Sequence, residues 1–231
     1  MRLDKYLSNA GLGSRKDVTK LLKDKLITVN GEIVKQGQLK VGDSDIIMHE
    51  DNVITLEEFI YLMFHKPKRV ITATKDDKHK TVMDFIEHPQ KQELFPLGRL
   101  DKNTTGLLII TNDGKLGHQL LSPKKQVTKT YIVTLKKDIT AEAIEQLEQG
   151  VQLSDFETQP AKVKVIDKDC IELIITEGKF HQVKRMMHAV ENQVEELHRH
   201  AFGDVSLDAN LAPGTYRKLS KKELKILYSH V

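Results

Sequence analysis

An α+β chain in two parts is the fold this 231-residue sequence predicts, and three observations predict it. Residues 1 to about 48 pattern as two short amphipathic helices followed by a small sheet. From residue 59 onward, many short apolar runs of strand length mix with a few helical stretches. They lack the strict strand–helix alternation of a parallel sheet. Between the two parts "HEDNVITLEE", 49–58, is polar and acidic, the composition of a linker. The expected division is 1–58 and 59–231, the second part having a mixed, largely antiparallel sheet flanked by helices.

In "RLDKYLSNAG", Leu3, Tyr6, Leu7 and Ala10 share a helical face, and Gly11 is placed to end the helix. Ser14 can N-cap "RKDVTKLLKDK", whose Val18, Leu21 and Leu22 form an apolar stripe. "LITVNGEIV" reads as a hairpin turning at Asn30-Gly31, and "VGDSDIIM" supplies a further strand. In the second part, strands are expected over 60–65, 70–74, 107–111, 130–135, 161–166 and 170–176. Helices are expected over 82–87, 115–121, 141–149, 180–190 and 221–229, with Thr140 capping "AEAIEQLEQ" and Gly150 ending it.

With 39% hydrophobic and 30% charged residues, the chain can bury a substantial core and does not read as disordered or fibrous. Its one cysteine, Cys170 in "CIELIIT", cannot form an internal disulfide, and a core position in a reducing compartment is expected. "MRLDKYLSNAG" lacks the apolar segment of a signal peptide. The longest apolar-aromatic run, "FIYLMF", is too short to span a bilayer. A cytoplasmic protein with no membrane partner is therefore expected. Residues 1–45 hold nine Lys/Arg against six Asp/Glu, so 9 − 6 accounts for the whole net charge of +3. A basic N-terminal unit of this kind suits a polyanionic partner. Arg2 and Lys5 on the first helix, and Arg15, Lys16, Lys20 and Lys23 on the second, supply the charge.

Three stretches can carry chemistry. In "PLGRLDKNTTGLLIITNDG", 96–114, a lone carboxylate, Asp101, stands in a polar turn before an apolar strand, between Arg99 and Lys102. A nearby cation favours an ionised carboxylate, and Thr104, Thr105 and Gly106 add hydroxyls and a point of close backbone approach. The turn looks like the "DKTGT" aspartyl-phosphate motif. Yet "PLGRL" is no continuous apolar strand, and no second acidic pair is present to hold magnesium. Glycoside hydrolysis needs a facing carboxylate, and Asp113 lies far along the strand. In "TEGKFHQVKRMMHAV", 176–190, Val183, Met187 and Val190 form one helix face while Lys184 and Arg185 project from others. His181 and His188, with His198 and His200, lack the spacing of a zinc site, so no metal is expected. In "KTYIVTL", Lys129 and Tyr131 share one face of a period-2 strand, where a tyrosine beside an acid could stack on a base.

"RLDKYLSNAGLGSR" with "ITVNGEIV" resembles the alpha-L RNA-binding module shared with a small-subunit ribosomal protein. "GRLDKNTTGLLIITNDG", "KTY" and "EGKFHQVKRM", in that order behind such a module, resemble the RsuA-type rRNA pseudouridine synthases. "YLMFHKPKRVIT" and "ELHRHAFGDVSLDANLAPGTYRKLS" extend the likeness over essentially the whole chain, with a shade closer to the small-subunit (16S) branch. The resemblance implies isomerisation of a uridine to pseudouridine with no cofactor. Asp101 would attack the ribose or remove its 2′ proton, Lys184 would pair with it where many relatives carry arginine, and Tyr131 would stack on the uracil. It further implies that Arg99 holds the flipped nucleotide, that Lys129, Arg185 and Arg199 contact phosphates, and that Thr104 and Thr105 shape the substrate loop. Arg2, Lys5, Arg15, Lys16 and Lys20 would grip RNA phosphates in the N-terminal module. A monomer acting on ribosomal RNA or an assembling small subunit follows from the same resemblance. An RNA-binding assembly factor that kept the fold but lost catalysis is the alternative.

Overall fold

In the computed structural model, which describes residues 1–231, Asn30 and Gly31 take positive φ (53° and 85°). These angles are those of the tight turn that matches the twist of a two-stranded ribbon. The turn joins β1 (Ile27–Val29) to β2 (Glu32–Ile33). With β3 (Ile47–His49) and β4 (Asn52–Val53) they form an antiparallel sheet in the order β2-β1-β3-β4. Helices α1 (Leu3–Asn9) and α2 (Arg15–Lys23) pack on it. Ser14 and Asp17 form a reciprocal capping box at the start of α2. Leu3, Leu7, Val18, Leu22, Ile27 and Ile47 make the core. Arg15, Lys16 and Lys20 stand exposed on α2, whereas Arg2 pairs with Asp4 and Lys5 with Glu93, both at 2.7 Å.

This first unit comprises residues 1–59 together with 86–94; the second comprises 60–85 and 95–231. The excursion 86–94 joins the first unit through the Lys5–Glu93 pair and the Gln90 side-chain amide, which donates to the Glu57 carbonyl (3.2 Å). A division read by position along the chain does not foresee it.

The second unit is built on a nine-stranded mixed sheet. Its strands are β5 (Tyr61–Lys66), β6 (Phe95–Pro96), β7 (Thr105–Thr111), β8 (Lys129–Leu135), β9 (Lys162–Asp167), β10 (Cys170–Ile175), β11 (Val194–Phe202), β12 (Val205–Ser206) and β13 (Tyr216–Lys218). The order is β13-β5-β7-β11-β8-β10-β9, with β6 on β7 and β12 on β11. Only β7 and β11 run parallel. Helices α3 (Gly114–Leu121), α4 (Ala141–Gln149), α5 (Gln182–Ala189) and α6 (Lys221–Tyr228) complete it. The fold is α+β. Leu107–Ile110 are buried without a break, as befits a central strand covered on both faces. Met63, Leu116, Leu120, Phe202 and Leu227 pack in the same core as Leu107 and Ile109.

Four local expectations need correction. Residues 70–74 form no strand. Ile71 makes a single bridge to Thr81, and the Thr72 hydroxyl instead serves both backbone groups of Leu100. Residues 82–87 make only a short 3₁₀ turn, Val82–Phe85. The helix expected from 180 begins at Gln182, because His181 adopts a left-handed φ of 50° that no α-helix continues. Cys170 stands half-buried at the start of β10 rather than in the core, and burial pushes its thiol pKa up. The long strand β11 was not foreseen, since "VEELHRHAF" carries its buried face on Leu197, Arg199 and Ala201.

Gly106 sits where β7 and β11 approach most closely, in register with Arg199. Its φ is 109°, and a Cβ there would lie 2.2 Å from the Arg199 carbonyl oxygen. Neither backbone can yield without breaking the only parallel pairing. Gly106→Ala is expected to destabilise the protein by about 3 kcal/mol, read as a lower urea midpoint; an unchanged midpoint would contradict the close approach.

Candidate active site

The loop Leu100–Thr104 is held by backbone and side-chain bonds from three directions. Thr72 brackets Leu100, donating to its carbonyl (2.8 Å) and accepting from its N–H (3.1 Å). The Thr104 N–H donates to the Asp101 carbonyl (3.0 Å), closing a turn. Beneath it the Lys66 ammonium, at the end of β5 and fully buried, donates to the carbonyls of Thr104 (2.8 Å), Lys102 (3.2 Å) and Pro67 (3.2 Å). Burial pulls the Lys66 pKa down to about 8, opposed by the nearby Asp101 carboxylate and reinforced by Lys184.

Presented by this loop, the Asp101 carboxylate has 25% of its side-chain surface exposed and one basic side chain facing each oxygen. Lys184 Nζ lies 3.2 Å from Oδ2, and His181 Nε2 lies 3.7 Å from Oδ1. The two neighbours come from the same stretch, His181 just before α5 and Lys184 within its first turn. Spacing of i, i+3 could have disclosed this: a histidine three residues before the expected partner lysine falls on the same side. The sequence signal for Lys66 is a lysine closing the largely apolar run "YLMFHK" of β5.

Asp101, Tyr131, Thr104, His181 and Lys184 line one narrow slot of about 50 Å³. Tyr131 enters from β8, and its neighbour in register on β11 is Arg199. The Thr104 hydroxyl is buried in the slot without a hydrogen-bond partner. The slot adjoins a cavity of about 540 Å³ walled by Ile71, Thr72, Arg99, Lys102, Phe180 and His181. Arg99 is exposed there and lines both spaces.

Other residues expected at the site lie elsewhere. Arg199, expected at a phosphate, is only 3% exposed: its Nε donates to the Leu107 carbonyl (2.8 Å) and its guanidinium meets Tyr131. Burial lowers its pKa from the usual arginine value, with Tyr131 opposing. It holds β7, β8 and the tyrosine together, and no solvent-borne phosphate reaches it. Lys129 turns its ammonium to the carbonyls of Val127 (2.7 Å) and Thr176 (3.0 Å), with burial lowering its pKa to about 8. It lines a separate cavity with Glu177 and Gln159. Thr105 faces away from the slot, its hydroxyl 2.9 Å from His198 Nδ1. Arg185 pairs with Asp155 and Ser154 and borders a cavity shared with His181 and Lys184.

A family model described as RNA pseudouridylate synthase matches residues 60–189, and an S4 domain model matches residues 1–47. The chain belongs to the RNA pseudouridylate synthase family. Among relatives of this synthase, "Uncharacterized RNA pseudouridine synthase YtzG" of Bacillus subtilis is 46% identical over 98% of both chains. "Ribosomal small subunit pseudouridine synthase A" of Yersinia pestis is 41% identical over 97% of both, and its Escherichia coli K12 namesake is 39% identical over 97% of this chain and 98% of that one. A solved structure described as a pseudouridylate synthase superposes with a TM-score of 0.71 at 37% identity, covering 98% of this synthase and 99% of the other chain. The matched family segment contains the Asp101 loop, β8 with Tyr131, and His181 and Lys184.

Proposed function

We propose that this synthase converts a uridine of small-subunit ribosomal RNA to pseudouridine, with Asp101 as the reacting carboxylate. The observation that carries the reading is the slot itself: one carboxylate, faced on its two oxygens by Lys184 and His181, opposite a strand tyrosine. The reaction breaks the bond from ribose C1′ to uracil N1 and forms one from C1′ to C5. The hydrogen of C5 leaves as a proton, and N1 gains one. Atoms and electrons balance without a second substrate, so one acid suffices. Asp101 either adds to C1′ or removes the 2′ proton; each route ends with the carboxylate regenerated. Tyr131 stacks on the uracil while it turns, Arg199 fixes the tyrosine from behind, and the unpartnered Thr104 hydroxyl is free to bond the nucleotide. Arg99, exposed at the mouth, holds the nucleotide out of its helix, since a stacked base presents neither sugar nor ring.

The slot shares Arg99, Asp101, Gly178, Lys179 and His181 with the adjoining cavity of about 540 Å³, so a base reaching Asp101 has its neighbouring nucleotides in that wider space. Arg15, Lys16 and Lys20 of the N-terminal unit add affinity that does not depend on sequence, by releasing counterions from phosphates. One chain supplies every side chain of the slot, which suits a monomer, and action on ribosomal RNA suits a cytoplasmic protein.

The test is to incubate the protein with unmodified small- and large-subunit rRNA, and with partly assembled particles, then map pseudouridine by carbodiimide-dependent reverse-transcription stops. A single new stop in the small-subunit RNA is expected. A stop in the large-subunit RNA alone would overturn the substrate assignment, and no stop anywhere would overturn the function.

A further inference from the structure

Phe180 is the most exposed of the chain's large hydrophobic side chains, at 76%. It is not loose at a tip. Its ring stacks on the His181 imidazole with centroids 3.8 Å apart and planes 20° from parallel, and its other face is turned to solvent. A phenylalanine left in water contributes none of the stability that its burial would give the fold. It walls the cavity of about 540 Å³ that opens onto Asp101. Around that cavity stand Arg99, Lys102 and Lys179, against Asp101 as its sole acid. An aromatic face supported from behind, free in front and ringed by cations is what an unpaired base with its phosphates requires.

We propose that the Phe180–His181 stack is a platform for the nucleotide next to the target uridine. The inference rests on the RNA reading given above. The target base enters the slot against Tyr131, and its neighbour, unstacked by that departure, lies on the outer face of Phe180 with its phosphate toward Lys102. His181 thereby links the two nucleotides, one face against Phe180 and Nε2 toward the Asp101 carboxylate. Selectivity for the base beside the target arises from stacking strength at this position, with no hydrogen-bond reading of its edge.

The sequence has no tryptophan, so Phe180→Trp places a single tryptophan, excited selectively over the tyrosines, at the platform. The probe is a transcript fragment of small-subunit rRNA spanning the uridine that the parent protein converts, made intact and with an abasic residue on either side of that uridine. Phe180→Trp is expected to keep kcat/KM within about threefold of the parent and to lose emission on adding the intact fragment, and less on adding one abasic form. Phe180→Ala is expected to raise KM roughly tenfold or more with kcat nearly unchanged, the size set by base–aromatic stacking. The abasic substitution should cost the parent the same factor and cost Phe180→Ala nothing further. An unchanged KM in Phe180→Ala, or emission indifferent to RNA, would overturn the platform. So would a defect seen only on protein-containing particles, because the face would then meet a protein. If the parent converts no uridine, the proposed function fails; the platform is then judged separately by the emission of Phe180→Trp on adding a single-stranded oligoribonucleotide, and unchanged emission would overturn it.

Discussion

Asp101→Asn is expected to fold, to bind rRNA as the parent does, and to form no measurable pseudouridine, a loss of at least about 10⁴-fold in kcat. Asparagine keeps the shape but can neither add to C1′ nor carry a proton away from the ribose. The loop that presents it does not depend on the carboxylate. Thr72 holds Leu100, Lys66 holds Thr104 and Lys102, and the turn is closed by the Asp101 carbonyl itself. The ion pair with Lys184 is partly exposed on both sides, so its removal costs at most about 1 kcal/mol of stability. Residual turnover within tenfold of the parent would sink Asp101 as the reacting group. If pseudouridine vanished but ribosome assembly in cells were unaffected, assembly would not depend on the chemistry. If assembly survived only because binding survived, a role in RNA binding would stand beside it.

Parts of this machinery were legible in the sequence because they are local. Asp101 sits in a polar turn between two cations, Tyr131 in a clean period-2 strand, and Asn30-Gly31 at a hairpin tip; each is decided by neighbours a few residues away. What misled the reading is long-range burial of polar groups. Arg199 reads as a surface cation until β11 is threaded between β7 and β8, where its Nε finds the Leu107 carbonyl and its guanidinium finds Tyr131. For the same reason β11 hid: a strand whose buried face includes an arginine shows no apolar alternation. Lys129 and Lys66 look like ordinary basic residues, yet both ammonium groups are spent on backbone carbonyls. Phe180 was placed in a helix that His181's left-handed backbone in fact delays, and that delay turns the ring outward at the cleft.

Lys66→Met should lower kcat by about 10–100-fold while moving KM far less, because it loosens the loop under Asp101 without touching RNA. Methionine fills the channel but donates nothing, so the carbonyls of Thr104, Lys102 and Pro67 lose their shared partner. An unsatisfied buried carbonyl costs about 1–3 kcal/mol, and removal of a buried charge gives part of that back. A pH series separates these effects. In the unfolded chain the lysine titrates near 10.5, but burial holds it at about 8 in the native protein. Between those values the unfolded state carries the extra proton, so raising the pH removes the burden of a buried cation from the native side. Parent stability should therefore rise, relative to Lys66→Met, by on the order of 3 kcal/mol between pH 8 and 10.5. Below pH 8 the burden is present in full and the difference should stay level. Turnover should move the opposite way, since a neutral Lys66 no longer places positive charge beneath the Asp101 loop. Urea denaturation of both proteins across this range, beside kcat at the same pH values, gives the answer. Parallel stability curves for the two proteins would show that Lys66 is not the buried cation under the loop.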